Sequence, residues 1–266
     1  MSRIGDAFER LTEAGDTGLI IFVTCGDPSL DATVELVPVI ESAGADIVEL
    51  GIPFSDPLAD GPIIQAASHR ALEAGCTTDA VLDCARRVRQ RSEVPLLLMT
   101  CYNPILQYGI ERFGRAARDA GVDGVLVSDL PPHEAGPLLA AARENALDTI
   151  FLVAPTSTPQ RMRKVCELST GFVYCVSRTG VTGVREELPP DLTDLVASVR
   201  RQTDKPIGVG FGISTAAHVR AVTQQADAAI VGSAVVRLIE RTGPRDELPN
   251  VVGEFVRSLA LGKSRH

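Results

Sequence analysis

Apolar residues in this chain fall into eight short, uninterrupted runs. They are Leu19–Thr24, Ile47–Leu50, Pro95–Thr100, Gly124–Ser128, Thr149–Ala154, Phe172–Val176, Ile207–Phe211 and Ala228–Gly232. Each is rich in Val, Ile or Leu and none alternates with polar residues, which is the pattern of parallel strands buried on both faces. Between the runs, apolar residues recur at helical spacing instead. Leu30–Ala43 carries Leu30, Val34, Val37 and Ile40, and Thr78–Arg91 carries Val81, Leu82, Ala85 and Val88. Ile110–Ala120, Pro132–Asn145, Pro159–Leu168 and Pro190–Arg201 continue the series. Ser214–Gln225 follows, with Ser214 as its expected N-cap, and Val251–Leu261 closes it.

Several of these helices stop at Ala-Gly: Ala43-Gly44, Ala74-Gly75 and Ala120-Gly121. A glycine just past a helix end takes the left-handed conformation at little cost. Eight strand–helix units predict a closed (β/α)₈ TIM barrel, α/β in class. An open doubly wound sheet usually has fewer strands, and no G-x-G-x-x-G follows the first strand. The 266 residues match the roughly 250 that one such barrel needs, so the chain reads as a single domain, 1–266, with 261–266 expected to fray. The segment MSRIGDAFERL predicts an additional amphipathic N-terminal helix.

Two connections break the rhythm. The second follows Leu50 with GIPFSDPLADGPIIQAASHRALEAG, which contains an extra helix, and the sixth runs through SRTGVTGVREELPPD. Long loops in a compact domain are often functional, and in a barrel both would lie at the catalytic face formed by the strand C-termini.

Composition narrows the partners. A net charge of −8 disfavours nucleic acid and anionic membranes, which require an excess of Lys and Arg. It leaves room for one phosphate site built from backbone N–H groups. No run approaches the roughly 18 apolar residues of a membrane span and the N-terminus lacks an apolar signal core, so a cytoplasmic location is expected. The six cysteines include no C-x-x-C pair and read as buried, reduced thiols rather than a metal or disulfide framework. His69, His133, His218 and His266 share no ligand spacing, so no metal site is expected.

Two carboxylates stand out. Glu49 ends an apolar strand in DIVELG; it is either a buried glutamate satisfied by backbone donors or an arginine, or an acid–base group with a raised pKa. Asp60, in PLADGP, is either a local Asp-Gly turn residue or Glu49's partner at the barrel mouth. Glycines at three successive strand ends suggest a phosphate cradle: GVTG at 180–183, GFGIS at 210–214 and Gly232-Ser233. Arg178 is either a phosphate contact or an exposed loop residue. Phe22, Leu126, Leu152, Tyr174 and Phe211 are core residues or the walls of a slot for a flat ring.

The segments FVTCGDP, ADIVELGIPFSDPLADGPIIQ, LMTCYNPI, DGVLVSDLP, VYCVSRTGVTG and VGFGIS closely resemble the α subunits of tryptophan synthase across nearly the whole chain. The resemblance implies retro-aldol cleavage of indole-3-glycerol phosphate to indole and glyceraldehyde 3-phosphate. It implies Glu49 and Asp60 as catalytic residues and Gly183, Gly212, Gly232 and Ser233 as phosphate-binding. Phe22, Tyr174 and Phe211 match residues around the indole, and Thr182 matches a residue of the closing loop. No cofactor is implied in this chain. A pyridoxal-phosphate β subunit is implied as partner in an α₂β₂ tetramer, facing Asp56, Asn103 and Pro131. A lyase that works alone and releases free indole, or an idle barrel that only binds a phosphorylated ligand, remain alternatives.

Overall fold

A computed structural model describes residues 2–176, 190–210 and 212–263. Its elements run α1 (Arg3–Glu13), β1 (Gly18–Thr24), α2 (Leu30–Ser42), β2 (Ile47–Gly51), α3 (Pro62–Glu73), α4 (Thr78–Arg89), β3 (Leu96–Thr100), α5 (Tyr102–Tyr108), α6 (Ile110–Asp119), β4 (Gly124–Val127), α7 (Gly136–Glu144), β5 (Asp148–Val153), α8 (Pro159–Leu168), β6 (Val173–Val176), α9 (Pro190–Arg200), β7 (Ile207–Gly210), α10 (Ala216–Thr223), β8 (Ala228–Val231), α11 (Ser233–Thr242) and α12 (Leu248–Ala260). The eight strands pair in sequence order, all parallel, and β8 closes back on β1. The expected (β/α)₈ barrel is present.

Alternation along each strand divides its side chains between two cores. Leu19, Ile21 and Val23 face the surrounding helices, whereas Ile20, Ile47, Leu97, Leu126, Ile150, Phe172 and Ile230 fill the barrel. Helix α1 plugs the N-terminal end of the barrel with Ile4 and Phe8; the Phe8 ring meets Phe172 at 5.7 Å between centroids. This aliphatic plug is why the charged residue of β2, one pleat higher, has no route to water from below.

Aspartates at the strand starts tie neighbouring strands together. The Asp46 carboxylate accepts from Leu19 N–H at 2.7 Å, Asp123 from Leu96 at 2.8 Å and Asp227 from Ile207 at 2.7 Å. The glycines at 44, 75 and 121 have φ of 109°, 81° and 78°, the left-handed stops that the Ala-Gly pairs predict.

Three helix starts and one unread helix are the main differences from the sequence reading. Helix α7 begins at Gly136 rather than Pro132, because residues 131–134 form a turn closed by Glu134 N–H to Pro131 C=O at 3.0 Å. Helix α10 is capped by Thr215, whose hydroxyl accepts from His218 N–H, while Ser214 N–H donates to the His218 ring instead. Helix α12 starts at Leu248, before the expected Val251, with Pro249 in its first turn. Helix α5 went unread because it is short and starts immediately after β3. In the tail expected to fray, Lys263 bridges Asp16 at 3.5 Å and Asp46 at 2.9 Å. All six cysteines are buried and free.

Candidate active site

Glu49 lies on β2 opposite Phe22 of β1 and Leu97 of β3, on the inward face above the aliphatic plug. It is 1% exposed, and among the described residues neither carboxylate oxygen has a hydrogen-bond partner, backbone donor or arginine. Burial, reinforced by the nearby charge of Asp60, pushes its pKa up to about 8. At neutral pH this carboxyl group is mainly protonated, because a neutral acid is the form a dry site tolerates.

Asp60 closes the turn that follows β2. Its N–H donates to Pro57 C=O at 3.0 Å, and its own C=O accepts from Gln65 Nε2 at 2.9 Å. Gly61 and Pro62 then start α3, proline being tolerated where the helix has N–H groups to spare. The Asp60 carboxyl group is partly buried, and burial followed by the charge of Asp129 raises its pKa to about 6. The turn reading was therefore right for its backbone, and the side chain is free for other work. Two carboxyl groups of one loop region thus hold different protonation states near pH 7: Glu49 mainly neutral, Asp60 mainly ionised.

Phe22, Asp60, Met99, Thr100, Cys101 and Ser128 line one small cavity at the mouth of the barrel, with Gly51, Ile52, Phe54, Pro57, Ile64 and Ser68. Leu126 is buried in the barrel core, Leu152 and Tyr174 are half-buried and pack against that core, and Tyr174 stacks on Phe172. Burial and the charges of Glu49 and Asp60 hold the Tyr174 hydroxyl well above the usual tyrosine range, so it remains a donor.

Two glycines make this packing possible. A Cβ on Gly51 would sit 2.6 Å from Phe22 Cζ, and one on Gly210 would sit 2.8 Å from the Tyr174 hydroxyl. Each proposed ring wall thus leans over a bare backbone. Met99 and Asp129 were not singled out in the sequence. Met99 could have been found from its inward phase on β3. The effect of Asp129 on Asp60 depends on loop geometry that no periodicity encodes.

Of the glycine cradle, Gly232 and Ser233 open α11, where the first helical N–H groups lack intrahelical acceptors and the helix dipole is positive. Gly212 has φ +65°, on an exposed turn that leads into α10. Gly183, Thr182, Phe211 and Arg178 lie outside the described residues. Asp56, Asn103 and Pro131 lie on the connections after β2, β3 and β4, at the same end of the barrel as Asp60; Asp56 and Asn103 are exposed and Pro131 is half-buried. Among the described residues no group of three or more His, Cys, Asp or Glu side chains is arranged to hold a metal ion.

The family model for the tryptophan synthase alpha chain matches residues 8–257. The tryptophan synthase alpha chain of Solibacter usitatus is 49% identical over 262 residues, covering 98% of both chains. That of Geobacter sulfurreducens is 51% identical over 259 residues, covering 97% of this chain and 98% of the other. The crystal structure of tryptophan synthase subunit alpha from Legionella pneumophila superposes with a TM-score of 0.91 at 35% identity and covers 98% of each chain. The structure of Mycobacterium tuberculosis tryptophan synthase superposes at 0.90 with 37% identity, also covering 98% of each chain. Fold, spacing and near-complete coverage agree: the chain belongs to the tryptophan synthase alpha chain family.

Proposed function

We propose that this chain cleaves indole-3-glycerol phosphate to indole and glyceraldehyde 3-phosphate, a lyase reaction, as the α subunit of a tryptophan synthase. The observation that carries the proposal is the pair of carboxyl groups that the barrel brings together: Glu49, buried on the inward face of β2 with neither oxygen hydrogen-bonded among the described residues, and Asp60, lining the cavity at the mouth above it.

The neutral Glu49 is ready to give a proton to indole C3, which leaves the ring cationic at nitrogen. Asp60 faces that positive charge as an anion. The bond between C3 and the side chain then breaks, its electron pair returns to the ring, and the adjacent hydroxyl becomes the aldehyde carbonyl. The proton released from that hydroxyl passes to Glu49, which is restored. Atoms and charge balance through proton transfers alone. General acid–base assistance is worth roughly 10²–10⁴-fold per group, and charge stabilisation in a dry site adds to it. The first turn of α11 with Gly212 and Gly183 would hold the substrate phosphate. Phe22, Leu126, Leu152, Tyr174 and Phe211 would border the indole, and Thr182 would close over it.

A pyridoxal-phosphate β subunit fits the same end of the barrel. Leu58, beside Asp56 on the Asp60 loop, is 92% exposed, and Leu106 on α5 is 51% exposed. Large apolar side chains held in water at the rim of an active site favour a protein cover. An α₂β₂ assembly in the cytoplasm suits this reading, and no described helix is long and apolar enough to cross a membrane.

Indole release from indole-3-glycerol phosphate by the purified chain, with and without a β subunit, tests the proposal. Release should rise when the β subunit is added, and Asp60→Asn should lower it by about 10²-fold or more. Full release that the partner leaves unchanged would favour the lyase that works alone. Release at the parent rate by both Asp60→Asn and Glu49→Gln would overturn the site assignment.

A further inference from the structure

Arg70 lies outside the mouth of the barrel, yet it ties its own helix to two other elements, and each of the three carries part of the site. Its Nε and Nη2 donate to the two carboxylate oxygens of Asp27, at 2.9 and 2.8 Å, in a bidentate fork. Its Nη1 donates to Glu240 at 2.7 Å. Arg70 belongs to α3, which begins directly after Asp60 and Gly61. Asp27, 3% exposed, sits just beyond the end of β1, the strand of Phe22. Glu240 belongs to α11, whose first residue is Ser233. Beneath the ion pairs, Ala67 of α3, Val236 of α11 and Phe22 pack into one buried cluster.

We propose that Arg70 is a positioning residue: the Asp27–Arg70–Glu240 relay grips α11 near its C-terminal end and fixes it against α3, and so sets the separation between the phosphate cradle and Asp60. This rests on the phosphate site assigned above. The physical argument is one of reach. The substrate joins phosphate to ring through a three-carbon chain of limited reach, so the cradle and the acid–base pair must be held at a separation that chain can bridge, and small misplacements carry large catalytic penalties. Packing of Ala67 on Val236 fixes how closely the helices approach but resists sliding weakly, since both side chains are small and apolar. Directional, charge-assisted bonds resist sliding. A planar fork does so better than a lysine, which offers no second parallel bond to Asp27.

Glu240→Ala cuts the arm to α11 and leaves the Arg70–Asp27 fork intact. Glu240 is 46% exposed and alanine favours helix, so the fold should survive. Binding is read by calorimetry with two probes, glycerol 3-phosphate for the cradle and indole for the ring pocket. Glu240→Ala should weaken glycerol 3-phosphate about threefold or more, leave indole within twofold, and keep the thermal midpoint near that of the parent. Arg70→Lys should weaken glycerol 3-phosphate further, with KM for the full substrate rising more than kcat falls. Unchanged glycerol 3-phosphate affinity in Glu240→Ala would overturn the proposal. So would equal weakening of both probes, or a lowered midpoint with both affinities intact, since those mark a general structural role. If the parent chain itself fails to bind glycerol 3-phosphate, the phosphate assignment falls, and this inference with it.

Discussion

Glu49→Gln should slow indole release by about 10²–10⁴-fold, the range lost with a general acid–base group. The amide keeps the size of the side chain and its place among Phe22, Leu97 and the aliphatic plug. It cannot deliver the proton that C3 needs, nor take the one released by the hydroxyl. Because Glu49 has no hydrogen-bond partner to lose, the substitution should leave the fold and ligand affinity nearly intact. The deficit should therefore appear in kcat, with KM close to the parent value. A comparable rise in KM would mean that Glu49 mainly holds substrate.

The same substitution should stabilise the protein at alkaline pH, by an amount that grows with pH. The folded Glu49 titrates near 8, and its ordinary value is 4.5. Between those values the folded chain holds a proton that the unfolded chain has released, so stability falls as pH rises through the window and levels off above it. Glutamine carries no such titration. The variant should match the parent in stability below about pH 4.5 and exceed it by on the order of 3–5 kcal/mol above pH 8. For a chain of this size that is roughly 5–10 °C in thermal midpoint. Midpoints measured at pH 5, 7 and 9 for both proteins check this. A gap that stays constant with pH would place the proton elsewhere. A residue that weakens its own fold is what a site under functional demand looks like.

The strands were legible because parallel strands buried on both faces need unbroken aliphatic runs, and nothing else in this chain supplies them. The place of Glu49 near the end of such a run also implied that it would be buried. What it could not show was the lack of a partner. A backbone donor or an arginine at that place would have to come from distant segments, and only the closed barrel reveals that none does. The split between Asp60 and Glu49 was anticipated as a pattern, but its direction follows from the deeper burial of Glu49, which outweighs the upward push of Asp129 on Asp60. Close approach is equally silent in sequence: Gly51 read as the start of a loop and Gly210 as part of the glycine cradle until the Phe22 and Tyr174 rings are seen lying over them. The cap of α10 could not be chosen between Ser214 and Thr215, two adjacent hydroxyl residues, without the backbone. The Arg70 relay joins residues 27, 70 and 240, and no local spacing connects them.

The central claim is that a neutral Glu49 and an ionised Asp60 act together. The pH dependence of kcat/KM for indole release tests it most directly, because that profile reports the ionisations of the free protein. The account predicts a bell with limbs near pH 6 and pH 8, the lower lost in Asp60→Asn and the upper lost in the residual activity of Glu49→Gln. A profile flat from pH 5 to 9, or limbs that persist in both variants, would contradict it.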